Sequence, residues 1–301
     1  MVADWASDEE FPTFPVGSQP KELLICPEDL VQPPLIPGHK YLFKTPRGWQ
    51  SYQIWSEIVA SELGRICGVP VPPCYLGIGE NGRPGALVEF FYGLPGAHRE
   101  DRFVHGSDVL QRSISNKKAG RTHDIRTNVM LTRRYGVADA AMQWGQMLVF
   151  DALIGNRDRH PDNWGPIWHY RQGQLPVVEL SPAFDNGTSL GYEQTEQRLS
   201  AGWTDEWVDK YLSRGVHHCG WSPADDVRGK HVNLCVRFKQ AFHEAAEAIK
   251  SVVEFDDREL IRVVEGLTGI HASLPLTDAR ARFMTDLILG RRDRLRLALG
   301  G

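Results

Sequence analysis

A chain of 301 residues, 42% hydrophobic and 24% charged, has the length for one large domain or two lobes sharing a cleft and the composition of an ordinary soluble globular protein. Its net charge of −4 excludes a general attraction to nucleic acid or anionic lipid, and its five scattered cysteines fit a reducing cytoplasm better than a disulfide framework. The acidic start lacks a basic region followed by an apolar core, and no run approaches the roughly 18 apolar residues of a membrane span, so neither a secretory signal nor a span is expected.

Residues 1–12 read as an acidic arm. A turn at Gly17-Ser18-Gln19-Pro20-Lys21 and a short strand follow, where a loop would fold over phosphates with backbone N–H groups and Ser18 or Lys21 as contacts. By residue type alone a plain hairpin turn fits equally well. In GHKYLFKTP, Tyr41 and Phe43 alternate as in a strand and set Lys44 at its end. Residues 50–67 carry Ile54, Ile58, Leu63 and Ile66 at helical spacing, with Glu57 on the helix and Gly68 as its stop. A strand lysine paired with a helix glutamate is how kinases steady the lysine that grips the α- and β-phosphates. Strands at CYLGIG and at ALVEFF, residues 86–91, flank a turn at Asn81-Gly82. The second strand leads into a hinge, where adenine would bond to backbone groups of Glu89, Phe90 and Phe91.

Residues 98–134 are polar and basic, with Arg112, Lys117, Lys118, Arg121, Arg126, Arg133 and Arg134 against few acids. Such a stretch is a solvated face or mobile loop, or else a guide for an anionic partner. Asp139 stands where it would cap the helix AAMQWGQMLVFDALIG, whose apolar faces suit a core helix delivering the loop NRDRHPDNWG at its end.

That loop and the passage to residue 191 place Asp158, His160, Asn163 and Asp185 close together in sequence. Phosphoryl transfer asks a protein to hold metal ions on an anionic group and to orient the acceptor hydroxyl. Magnesium takes oxygen ligands and keeps several waters, so one Asp and one Asn suffice, while a further Asp accepts the hydroxyl proton. Asp158 and Asn163 are five positions apart, the separation in the protein-kinase catalytic loop. Asp185 follows a short strand at residues 176–180, and Gly187 is expected to allow a tight turn after it. Taken singly, these are also ordinary turn residues. Segments 194–213, 232–253, 257–267 and 277–299 show helical apolar spacing. His217, His218, Cys219, His231 and Cys235 cluster without a standard zinc spacing.

In the order GSQPK, YLFK, a helix bearing Glu57, DRHPDN and FDNG, the chain resembles the HipA-like family of bacterial serine/threonine kinases. The resemblance covers most of residues 14–190 and, more loosely, the tail. It implies an α+β, two-lobed, protein-kinase-like fold, with a strand-rich nucleotide lobe over residues 1–92 and a mainly helical lobe over 93–301. It further implies ATP and Mg2+ as cofactors, with Asp158 as catalytic base; His160, in the same loop, is taken as a second catalytic residue, although a lone loop histidine is ordinarily structural. Asn163 and Asp185 would be magnesium ligands, Lys44 steadied by Glu57 the phosphate contact, and residues 17–21, including Gly17, Ser18, Gln19 and Lys21, the phosphate loop. The expected acceptor is a protein Ser or Thr, with autophosphorylation included. Two alternatives stand beside it: a small hydroxyl compound or phosphoinositide, because DRHPDN followed by D-x-G is also similar to the phosphatidylinositol 3/4-kinase group, and a nucleotide-binding pseudokinase. Longer family members carry a further N-terminal subdomain that contacts an antitoxin; this chain begins almost at the nucleotide lobe, which leaves an antitoxin-like partner without support. Some relatives are silenced by phosphorylation of a serine near the phosphate loop, where this chain has Phe14-Pro15-Val16 and only Thr13 or Ser18 offers a hydroxyl.

Overall fold

Alternation along one short strand decides which groups face the cleft. In β3 (Lys40–Lys44), Tyr41 and Phe43 point to one face of the sheet, where Val2, Trp5, Leu24, Cys26 and Leu87 form a small outer core. Leu42 and Lys44 therefore point to the other face. The computed structural model describes residues 1–8, 21–30, 32–113, 123–225 and 228–300. Within it β3 is the central strand of a five-stranded antiparallel sheet of order β1-β2-β3-β5-β4, made with β1 (Ala6–Ser7), β2 (Lys21–Ile25), β4 (Cys74–Ile78) and β5 (Pro84–Glu89). The register sets Lys21 opposite Lys44, and Lys44 opposite Ala86 on its other side.

Across the inner face lies α1 (Gln53–Cys67), which begins after a tight turn at Gly48–Gln50, so the helix starts three residues later than its apolar spacing suggests. Gly68 ends it at φ 69°, a left-handed conformation that costs glycine little. Ile54, Trp55, Ile58, Val59 and Leu63 of α1 belong to the same hydrophobic core as the helices that follow, and the Trp55 indole donates to the Leu274 carbonyl at 3.0 Å.

The second part of the chain is mainly helical. It holds α2 (Gly106–Ser113), α3 (Ile125–Arg134), α4 (Ala140–Ile154), α5 (Glu196–Ser200), α6 (Asp205–Ser213), α7 (His231–Ala241), α8 (Ala246–Ser251), α9 (Asp257–Thr268) and α10 (Asp278–Leu299). Helix α4 is buried on nearly every side, with Trp144, Leu148, Phe150 and Leu153 at its centre, and α7, α8 and α10 pack around it. A three-stranded antiparallel sheet of β6 (Glu100–Phe103), β7 (Pro166–Tyr170) and β8 (Val177–Leu180) joins the two parts, the β7–β8 hairpin carrying the chain from the loop at 156–163 to Asp185.

Several local expectations change. Strand β5 stops at Glu89 rather than Phe91, because Phe90, Phe91 and Tyr92 leave the ladder to pack on one another and on Phe103. Asp139 occupies the cap position of α4 but sits at φ 50° and makes no side-chain capping bond. Segment 194–213 is two helices, interrupted at Gly202 and capped separately by Thr195 and Thr204, and segment 232–253 breaks at Phe242. Arg126, Arg133 and Arg134 lie on the exposed side of α3, whereas Lys117, Lys118 and Arg121 lie outside the described residues. No helix among the described residues is long and apolar enough to cross a membrane.

Candidate functional site

The cleft between the five-stranded sheet and the helical part is organised by one lysine. Lys44 Nζ lies 2.5 Å from Glu57 Oε1 and 2.7 Å from Asp185 Oδ1, so a strand, a helix and a loop distant in sequence meet on a single cation. Burial disfavours the charge on Lys44, but the two carboxylates outweigh it and hold its pKa above the usual lysine value. The Asp185 carboxyl is burdened by burial in turn, yet Lys44 draws it down to about 2. Glu57 also accepts the Asn186 backbone N–H at 3.0 Å, which fixes the chain just after Asp185. Asp185 itself adopts the left-handed conformation at φ 58°, a strained position for a residue with a side chain. Gly187 does not supply the turn; it lets the loop approach α1, since a Cβ there would lie 3.2 Å from Gln53 Cβ.

Opposite this wall stands the loop that α4 delivers. Gly155 ends the helix at φ 68°, and Asp158, His160 and Asn163 follow within one turn and a short 3-10 segment at Pro161–Asn163. The His160 ring accepts the Asp162 N–H at 3.2 Å, and Asn163 Nδ2 donates to the Asp158 carbonyl at 2.8 Å. Burial pushes the Asp158 carboxyl above its usual value; His160 opposes the shift and Asp185 adds to it.

Beneath the loop lies a buried network centred on Asp151 and Arg159, neither of which the sequence singled out. Asp151, in the last turn of α4, takes a two-pronged contact from Arg159 at 3.0 and 2.7 Å, with further bonds from His217 at 3.1 Å and Asn156 at 3.2 Å. The Arg159 guanidinium then reaches the Asn163 carbonyl at 3.1 Å, the Phe184 carbonyl, and Asn186 Oδ1 at 2.8 Å. One fully buried arginine thus holds the loops of Asn163 and Asp185 in mutual register. A carboxylate in the last turn of a helix with no other charged residue was the available signal.

Two connected compartments open between these walls. The first is lined by Lys21, Lys44, Glu57, Asp158, His160 and Asp185. The second, more apolar, extends from the same Lys44 and Asp185 to Leu42, Val88, Phe91 and Phe184, with Glu89, Phe90 and Asn163 also on its wall. Aromatic and aliphatic faces there suit a flat base. Within that stretch the Phe90 N–H and carbonyl are engaged, by Lys40 and by His39, while Glu89 faces Pro73, which accepts its N–H and has none to return. Lys21 and Lys44, Glu57, Asp158, His160, Asn163, Asp185 and the 89–91 segment are therefore brought to one cleft; Gly17, Ser18 and Gln19 lie outside the described residues.

The oxygen donors at the junction suit a hard cation. Asn163 uses its Nδ2 on the loop backbone, which leaves its carbonyl oxygen for a ligand, and Asp185 offers a carboxylate held ionised by Lys44. The histidine and cysteine cluster has other work: His217 binds Asp151, Cys219 Sγ sits 3.0 Å from His123 Nε2, and His231 packs edge-on against His217.

A sequence model of the HipA-like C-terminal domain matches residues 15–254. No curated protein matches the chain. Among solved structures, the proinflammatory kinase CtkA of Helicobacter pylori superposes with a TM-score of 0.75 at 15% identity, covering 99% of this chain and 96% of that one. HipA of the Shewanella oneidensis MR-1 toxin–antitoxin system, solved with HipB and operator DNA, gives a TM-score of 0.55 at 14% identity, covering 94% of this chain and 65% of that one.

Proposed function

The chain belongs to the HipA-like C-terminal domain family and has the fold of a kinase, and from that premise we propose that it transfers the γ-phosphoryl group of ATP to a Ser or Thr hydroxyl of a protein. The observation that carries the reading is the Lys44 cation held between Glu57 and Asp185 on the wall facing Asp158. An ammonium so placed is ready to meet the α- and β-phosphates, and Glu57 keeps it aimed when Asp185 turns to a metal. Asn163 and Asp185 would hold Mg2+, which when bound neutralises charge on the phosphate oxygens. Asp158 orients the acceptor hydroxyl and takes its proton, its raised pKa bringing its basicity nearer to the task. The apolar compartment from Leu42 to Phe184 receives the base, with residues 89–91 as its polar edge. In this proposal residues 1–92 form the nucleotide lobe and residues 93–301 the lobe that presents the acceptor, and the protein works in the cytoplasm.

Incubation with labelled ATP and magnesium, followed by separation of protein from small molecules, tests the proposal. Label is expected on protein with wild type, and not with Asp158→Ala or Asp185→Asn. Asp185→Asn should keep the fold, because it removes charge at the cleft and leaves Lys44 paired with Glu57. Label confined to small molecules, or an Asp185→Asn variant as active as wild type, would overturn it.

A further inference from the structure

A second, larger cavity of about 530 Å³ adjoins the cleft, and Thr188 lines both. Its walls come from the loop after α4, the loop after Asp185, α6 and α10. Its charge is lopsided: Arg157, Arg198, Lys210, Arg214 and Arg291 line it against the single carboxylate of Glu193. None of the five cations forms an ion pair among the described residues, whereas Arg280, Arg292, Arg294 and Arg296 of α10 each pair with a carboxylate. Glu193 is already engaged, accepting the Tyr211 hydroxyl at 2.7 Å.

Arg291 is the least expected of these groups. It is 9% exposed, and its only hydrogen bonds among the described residues run to the Leu153 and Ile154 carbonyls at 3.4 and 3.0 Å. Burial lowers its pKa to about 10, with Tyr211 and Glu193 opposing, so it stays charged at neutral pH. It pairs directly with no carboxylate, only with the carbonyls that end α4, so an anion entering the cavity could still meet the guanidinium. The guanidinium also packs against Gly155, where any Cβ would collide with it, so the cation is fixed beside the start of the catalytic loop.

We propose that this cavity is a docking subsite for an anionic residue, carboxylate or phosphorylated, flanking the Ser or Thr acceptor of a protein substrate. The inference rests on the kinase reading and names the substrate class for that same site. A peptide is the occupant the geometry favours. The cations stand on four separate segments around an open concavity, which suits side chains reaching in from an extended strand. A nucleic acid would need a continuous exposed basic face, and the chain carries a net charge of −4. Guanidinium forks match carboxylate and phosphate equally well, so both forms of the anionic residue are included.

The test uses the full chain and a set of Ser-containing peptides flanked by Glu, phosphoserine, Ala or Lys. Binding is read by fluorescence anisotropy and transfer by label from ATP. Wild type should bind Glu- or phosphoserine-flanked peptides about tenfold tighter than Lys-flanked ones, with the preference fading as salt rises. Arg214→Glu, and Lys210→Glu with it, should erase or invert the preference while leaving ATP affinity unchanged. These positions are exposed, so the variants are expected to fold. Equal binding of all peptides, or a preference untouched by the reversals, overturns the inference even if transfer occurs. Selective binding of acidic peptides without transfer to any of them upholds the subsite and refutes the kinase reading. Tighter binding of an oligonucleotide of matched charge than of any peptide also overturns it.

Discussion

Replacing Arg159 by Met tests how far the catalytic machinery depends on the network beneath it. The change leaves Asp151 buried, with His217 and Asn156 as its remaining partners, and frees the carbonyls of Asn163 and Phe184. Breaking a buried ion pair by removing one partner costs on the order of 3–5 kcal/mol, and the lost bonds to two carbonyls and Asn186 act in the same direction. Urea unfolding, followed by tryptophan fluorescence at 15 °C, should show a loss of about that size. The double variant Asp151→Leu with Arg159→Met removes both charges and should recover most of the stability. It should not recover phosphoryl transfer, because the loops bearing Asn163 and Asp185 have lost their common anchor. A single variant within about 1 kcal/mol of wild type, or a double variant with full activity, would refute this account.

Lys44→Met keeps the side chain's length and removes its charge, and is expected to slow transfer by roughly a hundredfold in single-turnover measurements, the usual scale for losing a preorganised charge. An unchanged rate together with an unchanged ATP affinity would remove Lys44 from the phosphate site. The buried Asp151 also sets an acid limit. Although burial opposes its charge, Arg159 and His217 hold its folded-state pKa well below the ordinary value of 3.8. A depressed folded-state pKa stabilises above the unfolded value and loses that contribution as pH falls below it. Stability measured between pH 5 and 2.5 should therefore drop more steeply in wild type than in Asp151→Leu with Arg159→Met. Parallel curves would count against the linkage.

Much of the cleft was readable because its chemistry is carried by residues whose spacing is local. The YLFK strand, the helix bearing Glu57 and the five-residue interval from Asp158 to Asn163 each have a periodicity or a fixed separation, and all three are present, the helix beginning three residues late. The Asp151–Arg159 network was not legible, because its partners lie in four segments and only packing brings them together. The role of Gly187 was misread for a related reason. A glycine before a turn and a glycine under a helix look alike in sequence, and only the distance to Gln53 separates them. The interruptions at Gly202 and Phe242 were hidden by apolar spacing that continues across both breaks.

The anchoring of α1 bears on how such a protein can be switched. Kinases are often silenced by swinging away the helix that carries the glutamate, which parts it from its lysine. Here Ile54, Ile58, Val59 and Leu63 of that helix lie in the common interior. Exposing those four side chains would cost about 6–12 kcal/mol, comparable with the ~5–15 kcal/mol that holds a whole domain folded. An off state that pulls this helix out of the interior would therefore cost about as much as a domain's whole stability, which favours a helix held in place beside Lys44.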